Sequence, residues 1–251
     1  MADKDLRLKA GVVALRCAMS LNNMESALST LAWLNRDFPT DPEALYVSAH
    51  AFSDLSTRAA QDLGRTAPHS YQAQELNAES LETQGKWDQA QKEYDTILQQ
   101  NPRIPGIHFR LGRILLSQPN PGADMAERAK REFEEELKID PSNAGAEYVL
   151  GELARENQQW DDAIQHFGRA AKLDAAFGDA YLGLGQSLIS TKKYSEAIQP
   201  LEMAVKLEPQ NPATHYNLAT AYSRAGRRQE AEKEFAIHRQ MTQKQPQDTA
   251  Q

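Results

Sequence analysis

This sequence predicts an all-α fold, a superhelical solenoid of helix-turn-helix repeats, because three registers recur along it at one step. Ala129, Ala163, Ala197 and Ala231 stand 34 residues apart, and Phe133, Phe167, Leu201 and Phe235 keep the same step four residues further on. Leu150, Leu184 and Leu218 keep it again, each followed by a small residue: Gly151, Gly185 and Ala219. A 34-residue helical period belongs to arrays in which each hairpin contacts its neighbours, and such arrays bind other proteins without chemistry of their own.

Extending the frame outward gives a tail at 1–7, units at 8–41, 42–70, 71–104, 105–143, 144–177, 178–211 and 212–245, and a tail at 246–251. Seven hairpins are expected, the second five residues short and the fourth five long. The first helix of 8–41 carries Ala10, Val12, Val13, Ala14, Leu15, Cys17, Ala18, Met19 and Leu21, with only Lys9 and Arg16 as charges. A helix apolar nearly all round is normally covered on more than one face, by an upstream segment or by a second copy. In 42–70 the small-residue slot falls on Ala59 or Ala60, and no Gly or Pro fixes the turn. In 105–143 the stretch Ser117 to Gly122 holds two prolines, an Asn and a Gly, which places the five extra residues in a loop between its helices.

The unit 178–211 reads most clearly. Tyr181, Leu184, Gly185 and Leu188 share one helix face, and Ala197, Leu201, Ala204 and Val205 form the partner stripe. Thr191 to Ser195 makes the turn, with Ser195 expected as N-cap of the second helix and Pro209 closing the unit. In 212–245 the counterparts of Ile198, Val205 and Leu207 are Glu232, Arg239 and Met241. A charged outer face of that kind ends an array, with Gln243 to Gln251 as a polar tail. Where the two helices of a unit cross, small residues let the backbones approach: Ala78 with Ala90, Gly112 with Ala129, Gly151 with Ala163, Gly185 with Ala197.

Composition excludes several function classes. A net charge of -7 with no basic, aromatic-studded stripe argues against nucleic-acid binding. No apolar run approaches the roughly 18 residues of a membrane span. Cys17 is the only cysteine, so neither a disulfide framework nor a thiolate metal site is available. The opening MADKDLRLKA lacks the apolar core of a secretory signal, making a cytoplasmic setting the default and a periplasmic or secreted one the alternative if a leader has been removed. The histidines (His50, His69, His108, His166, His215, His238) show no i,i+4 pair and no carboxylate at ligand spacing, so no metal is expected; His108 and His215 take an aromatic slot and are expected to pack or cap. The acidic run Glu132 to Glu136 is flanked by Lys130, Arg131 and Lys138, as a solvated helix face would be. Phosphate-loop, nucleophile-elbow and Cys-His patterns are missing, so neither an enzyme nor a cofactor is predicted.

The units resemble tetratricopeptide repeats. Tyr181, Leu184-Gly185, Leu188, Ala197, Leu201, Ala204 and Pro209 follow the family pattern, as do Ala78, Leu81, Trp87, Ala90, Tyr94 and Pro102, and Ala27, Leu31 and Pro39. Departures are Glu136 and His238 in an Ala slot and Leu15 in a Gly/Ala slot. The resemblance implies a right-handed superhelical solenoid, a non-enzymatic scaffold that binds a protein or peptide in a concave groove lined by the first helices. The fifth residues of the units are Val12, Tyr46, Glu75, Phe109, Tyr148, Leu182 and Tyr216, expected to be half exposed; the ninth are Arg16, His50, Glu79, Arg113, Glu152, Gln186 and Thr220. From these rows the expected ligand groove is Tyr46, His50, Glu79, Phe109, Arg113, Tyr148, Glu152, Gln186, Tyr216 and Thr220. The Lys-five, Asn-nine clamp of chaperone-tail binders is missing, which favours a peptide held through apolar side chains. Two other readings stand beside this one: a targeting or regulatory part of a longer enzyme or secretion-assembly protein, and a module that binds itself, its concave face filled by a segment from a second copy; self-association through the apolar N-terminal helix is a further expectation.

Overall fold

The structure, a computed structural model, describes residues 2–118 and 123–244. Among the described residues there are thirteen helices and no strand: α1 Ala2–Ser20, α2 Met24–Asp37, α3 Pro42–Thr66, α4 Tyr71–Thr83, α5 Trp87–Gln100, α6 Ile107–Ser117, α7 Ala123–Ile139, α8 Ala144–Glu156, α9 Trp160–Leu173, α10 Gly178–Ser190, α11 Tyr194–Leu207, α12 Pro212–Arg224 and α13 Arg228–Lys244. They form two compact units, Met1–Leu76 and Asn77–Gln251.

The turns inside the hairpins share one device. The fifteenth residue of the repeat frame is left-handed in Asn22 (φ 54), Gly85 (φ 69), Gln158 (φ 59), Lys192 (φ 61) and Gly226 (φ 86). The next amide then bonds back to the helix just ended, as from Lys193 to the Leu188 carbonyl (2.8 Å) and from Arg227 to that of Tyr222 (2.9 Å). This is the Schellman closure, which satisfies carbonyls that a helix end leaves bare. It also displaces the expected cap. Helix α11 begins at Tyr194 with Lys193 as an N-cap lacking a side-chain bond, so Ser195 lies inside the first turn. Side-chain caps stand instead at the ends of three units, on Asp41, Asn143 and Asn211, and on Asn23.

In the unit Asn77–Gln251 the small-residue slots are buried as expected, but what they admit is a ring or a branched side chain. A Cβ on Gly112 or Gly151 would stand 2.8 Å from the ring of Phe133 or Phe167, and one on Gly185 would stand 2.4 Å from Leu201. The second helix drives its large residue into the notch, and the paired alanines Ala129, Ala163 and Ala197 lie fully buried beside it.

The unit Met1–Leu76 departs from the frame twice. Leu15 is buried where a Gly or Ala was expected, and the close approach moves one turn earlier, to Gly11, which lies under the ring of Trp33. The span 42–70, expected to be a hairpin, is the single helix α3. Being five residues short, it lacks the chain that a turn would use, and neither Gly nor Pro interrupts it before Gly64. Ala59 is exposed and Ala60 half-buried, so neither forms a helix crossing of the expected kind. The loop placed at Ser117 to Gly122 falls between α6 and α7, but residues 119–122 lie outside the described residues, as does the tail 246–251.

Candidate functional site

The fifth and ninth residues of the frame fall on the first helix of each hairpin. In the unit Met1–Leu76 the expected pair is Tyr46 and His50 on α3. Tyr46 is 62% exposed, and its ring meets that of His50 edge-on at 4.5 Å. Together with Leu15 and Met19 of α1 they border a cavity of about 290 Å³. Val12, expected half exposed, is buried instead among Leu8, Leu15, Ala44 and Val47, because α3 packs on α1.

In the unit Asn77–Gln251, Phe109, Tyr148 and Tyr216 stand on α6, α8 and α12. Each sets its ring against the phenylalanine of its own second helix: Phe109 to Phe133 at 5.7 Å, Tyr148 to Phe167 at 5.7 Å, Tyr216 to Phe235 at 6.0 Å. Successive first helices also meet through these rings. A Cβ on Gly145 of α8 would stand 2.9 Å from Phe109, and Tyr148 lies 4.8 Å from Phe177 at the entry to α10. Phe109 and Tyr148 are therefore half-buried, whereas Tyr216 is exposed. The rings are fixed by their neighbours and still offer surface to solvent.

The ninth residues are more committed than the sequence implied. Glu79 pairs with Arg110, Glu152 with Arg155 at 2.5 Å, and the Thr220 hydroxyl donates to the Tyr216 carbonyl at 2.9 Å. The Arg113 guanidinium stands 5.9 Å from the Phe109 ring centre, and Gln186 is half-buried.

Tyr148 is the electrostatic centre of this face. Burial, then Glu152 and Asp179, push its hydroxyl up to about 12. Asp179 in turn is held above the usual carboxylate range by burial and by the charges of Glu208 and Glu152. The charges of Glu152, Asp179 and Glu208 thus all act on the Tyr148 hydroxyl, opposed by that of Arg155. Asp179 and Glu208 lie outside the fifth and ninth rows, so a reading confined to those rows misses them.

A second set of contacts was hidden by sequence distance. His108 Nδ1 lies 2.7 Å from Glu132, and His215 Nδ1 lies 2.6 Å from Glu234. In 144–177 the same two slots hold the residues exchanged, Glu147 and His166, again 2.6 Å apart. Local spacing along the sequence does not reveal these carboxylates, because the partners lie across the hairpin. The other ring nitrogen of His108 faces the Pro102 carbonyl at 3.3 Å, and that of His215 the Pro209 carbonyl at 3.1 Å, the capping role expected of this slot. Glu132 raises the pKa of His108, against the opposing effect of burial.

Glu136, in an alanine slot, is fully buried. It accepts from the Gly106 amide (2.7 Å), the Phe109 amide (3.2 Å) and Asn143 Nδ2 (3.4 Å), so it caps the positive end of α6. His238, in the same slot, donates to the Pro212 carbonyl at 3.1 Å. Among the described residues no group of three or more His, Cys, Asp or Glu side chains could hold a metal ion, and no helix is long and apolar enough to cross a membrane.

Family profiles described as tetratricopeptide repeat match residues 76–144, 126–176, 148–212 and 192–247. Among curated proteins, none matches the chain. Solved structures that resemble it include MamA, at 24% identity and TM-score 0.58 over 66% of this chain and 95% of that one. A MamA fragment from Desulfovibrio magneticus RS-1 aligns at 18% identity and TM-score 0.60 over 70% of this chain and 97% of that one. YrrB, a tetratricopeptide repeat protein with an unusual peptide-binding site, aligns at 19% identity and TM-score 0.61 over 76% of this chain and 94% of that one. At these identities the solved structures speak for the fold alone, while the profiles reach across more than half of the sequence: the chain belongs to the tetratricopeptide repeat family.

Proposed function

We propose that this chain is a protein-interaction scaffold that holds a peptide or protein segment along the first helices of the unit Asn77–Gln251. The observation that carries this reading is the row Phe109, Tyr148 and Tyr216, each ring braced by a helix-borne phenylalanine and left partly open to solvent. Rings held in this way lose little rotational freedom when a ligand covers them. Around them Glu79, Arg113, Glu152, Gln186 and Thr220 supply a polar rim. The carboxylates about Tyr148 favour a ligand whose apolar anchors are followed by Lys or Arg. In the unit Met1–Leu76, Tyr46 and His50 border a cavity of about 290 Å³, with Leu15, Met19 and Val47 on its apolar side and Arg16 and Asp54 on its charged side, suited to a single side chain. The peptide-binding site of YrrB, on a similar fold, supports the reading.

Each anchor contributes on the order of 1.5–3 kcal/mol before ordering costs, so three support roughly micromolar binding. The test is selection of a displayed random peptide library on the folded chain, with fluorescence anisotropy of the recovered peptides. Phe109→Ala/Tyr148→Ala should stay folded, keeping its helical circular dichroism with a moderate fall in melting temperature from the lost ring contacts, while affinity falls at least about tenfold. A double variant that melts far earlier yet binds the peptides as tightly as the native chain would show that the rings serve only the core.

A further inference from the structure

In 71–104 the third and tenth residues of the frame, Ala73 and Ser80, are half-buried and exposed, whereas the other five later units bury theirs, both on the first helix: Ala44 and Ala51, Ile107 and Ile114, Ala146 and Leu153, Ala180 and Ser187, Thr214 and Ala221. The preceding second helix packs on that first helix in each case, α2 on α3, α5 on α6, α7 on α8, α9 on α10 and α11 on α12. The same slots of α1 hold Ala10 and Cys17, and both are exposed. Between them Val13 is 58% exposed, and Leu6 (67%) and Leu21 (78%) continue the line in both directions. Leu6, Ala10, Val13 and Cys17 form one stripe along the helix, which Leu21 extends just past its end, separate from Leu8, Val12, Leu15 and Ala18, which face the core of their own unit. Helix α1 therefore has the stacking face of an interior helix, and among the described residues that face is bare.

We propose that a second copy of the chain covers it, α1 lying antiparallel on α1 about a two-fold axis near Val13. A two-fold contact needs a self-complementary patch, and this stripe provides one. Its small centre lets two helices approach closely while Leu6 of each copy lies over Leu21 of the other. The antiparallel sense also opposes the helix dipoles. Head-to-tail stacking on the last helix is disfavoured, because α13 presents Glu232 and Arg239 as exposed charges.

Sedimentation velocity of the whole chain, from micromolar to hundreds of micromolar, tests the contact. The native protein should pass from monomer to dimer across that range, while Val13→Glu and, separately, Leu21→Ser should stay monomeric with unchanged helical content. Leu21 is so exposed that its replacement cannot disturb the fold, which protects the test if Val13→Glu misfolds. In a Cys17→Ser background, Val13→Cys should give a disulfide-linked dimer on mild oxidation, because Val13 meets its own counterpart at the axis. A native chain that is monomeric at every concentration would overturn the proposal, and so would a dimer indifferent to both substitutions or a Val13→Cys chain that does not cross-link.

Discussion

The unit Asn77–Gln251 and the unit Met1–Leu76 draw on the same residue types in the same frame, yet they close differently. In the larger one, Gly112, Gly151 and Gly185 receive Phe133, Phe167 and Leu201, and the arrangement repeats hairpin after hairpin. In the smaller one, Leu15 fills that slot, Gly11 takes Trp33, and the second hairpin is replaced by one long helix. The surfaces differ accordingly. Of the twelve exposed large apolar side chains among the described residues, ten belong to Met1–Leu76, leaving Leu173 and Tyr216 for a unit more than twice as long. Regular repetition gives every apolar residue a neighbouring hairpin to meet, and where the period breaks, apolar residues remain at the surface.

The sharpest way to break this comparison is to exchange what the shared slot holds. Leu15→Ala should cost about 2–5 kcal/mol, since its surroundings are shaped to a large side chain. Gly151→Leu should cost about 1–3 kcal/mol by driving Phe167 off its rotamer. Chemical denaturation combined with site-resolved hydrogen exchange should place each loss in its own unit. If Leu15→Ala proved neutral, the two units would follow the same rule after all.

A smaller effect belongs to His108 alone. Glu132 raises its folded pKa, Glu136 adds to this, and Glu135 on the same helix feels the ring's charge; from the preceding loop the Pro102 carbonyl accepts from it. A raised folded pKa makes the histidine's contribution complete below the unfolded value, about 6.5, and removes it as pH rises through the folded value. The stability gap between the native chain and His108→Gln should therefore be widest in mild acid and narrow above neutrality, confined to Asn77–Gln251. Thermal melts at a series of pH values check this, and a gap that widens with pH would reverse the assignment. The smallest expected change is a gain: Lys192→Gly and Gln158→Gly relieve a left-handed residue at a turn and should add a few tenths to about 1 kcal/mol each. Comparing Asn22→Gly in the smaller unit would show whether its turn obeys the same requirement.

Much of the fold was legible because helix faces repeat. The 34-residue step located the hairpins from Tyr71 onward, the small slots and the charged last helix directly from residue identity. Features without a periodic signature were not legible. Ser195 looked like a cap because its side chain suits one, but the left-handed Lys192 had already reversed the chain. The absence of a turn in 42–70 was visible only as five missing residues, which a repeat frame reads as degeneracy rather than as a continuous helix. At the site, the rows of rings could be named in advance, whereas the carboxylates of Asp179 and Glu208 around Tyr148 arise from the stacking of neighbouring hairpins. The His–Glu pairs escaped because one of the three is inverted, and a search for one residue type per slot averages such pairs away.

The buried carboxylate of Glu136 bears on how the chain avoids threading itself wrongly. Hairpins that share their apolar slots could exchange partners at little loss: α6 paired with α9 instead of α7 would bury nearly the same hydrocarbon. That misthreaded pair would set Ala170, the residue of the same slot, where Glu136 belongs. The Gly106 and Phe109 amides would then lose their acceptor, at about 1–3 kcal/mol for each one left buried and unpaired. A single misplaced carboxylate thus acts as an address, telling otherwise interchangeable hairpins which neighbour is theirs.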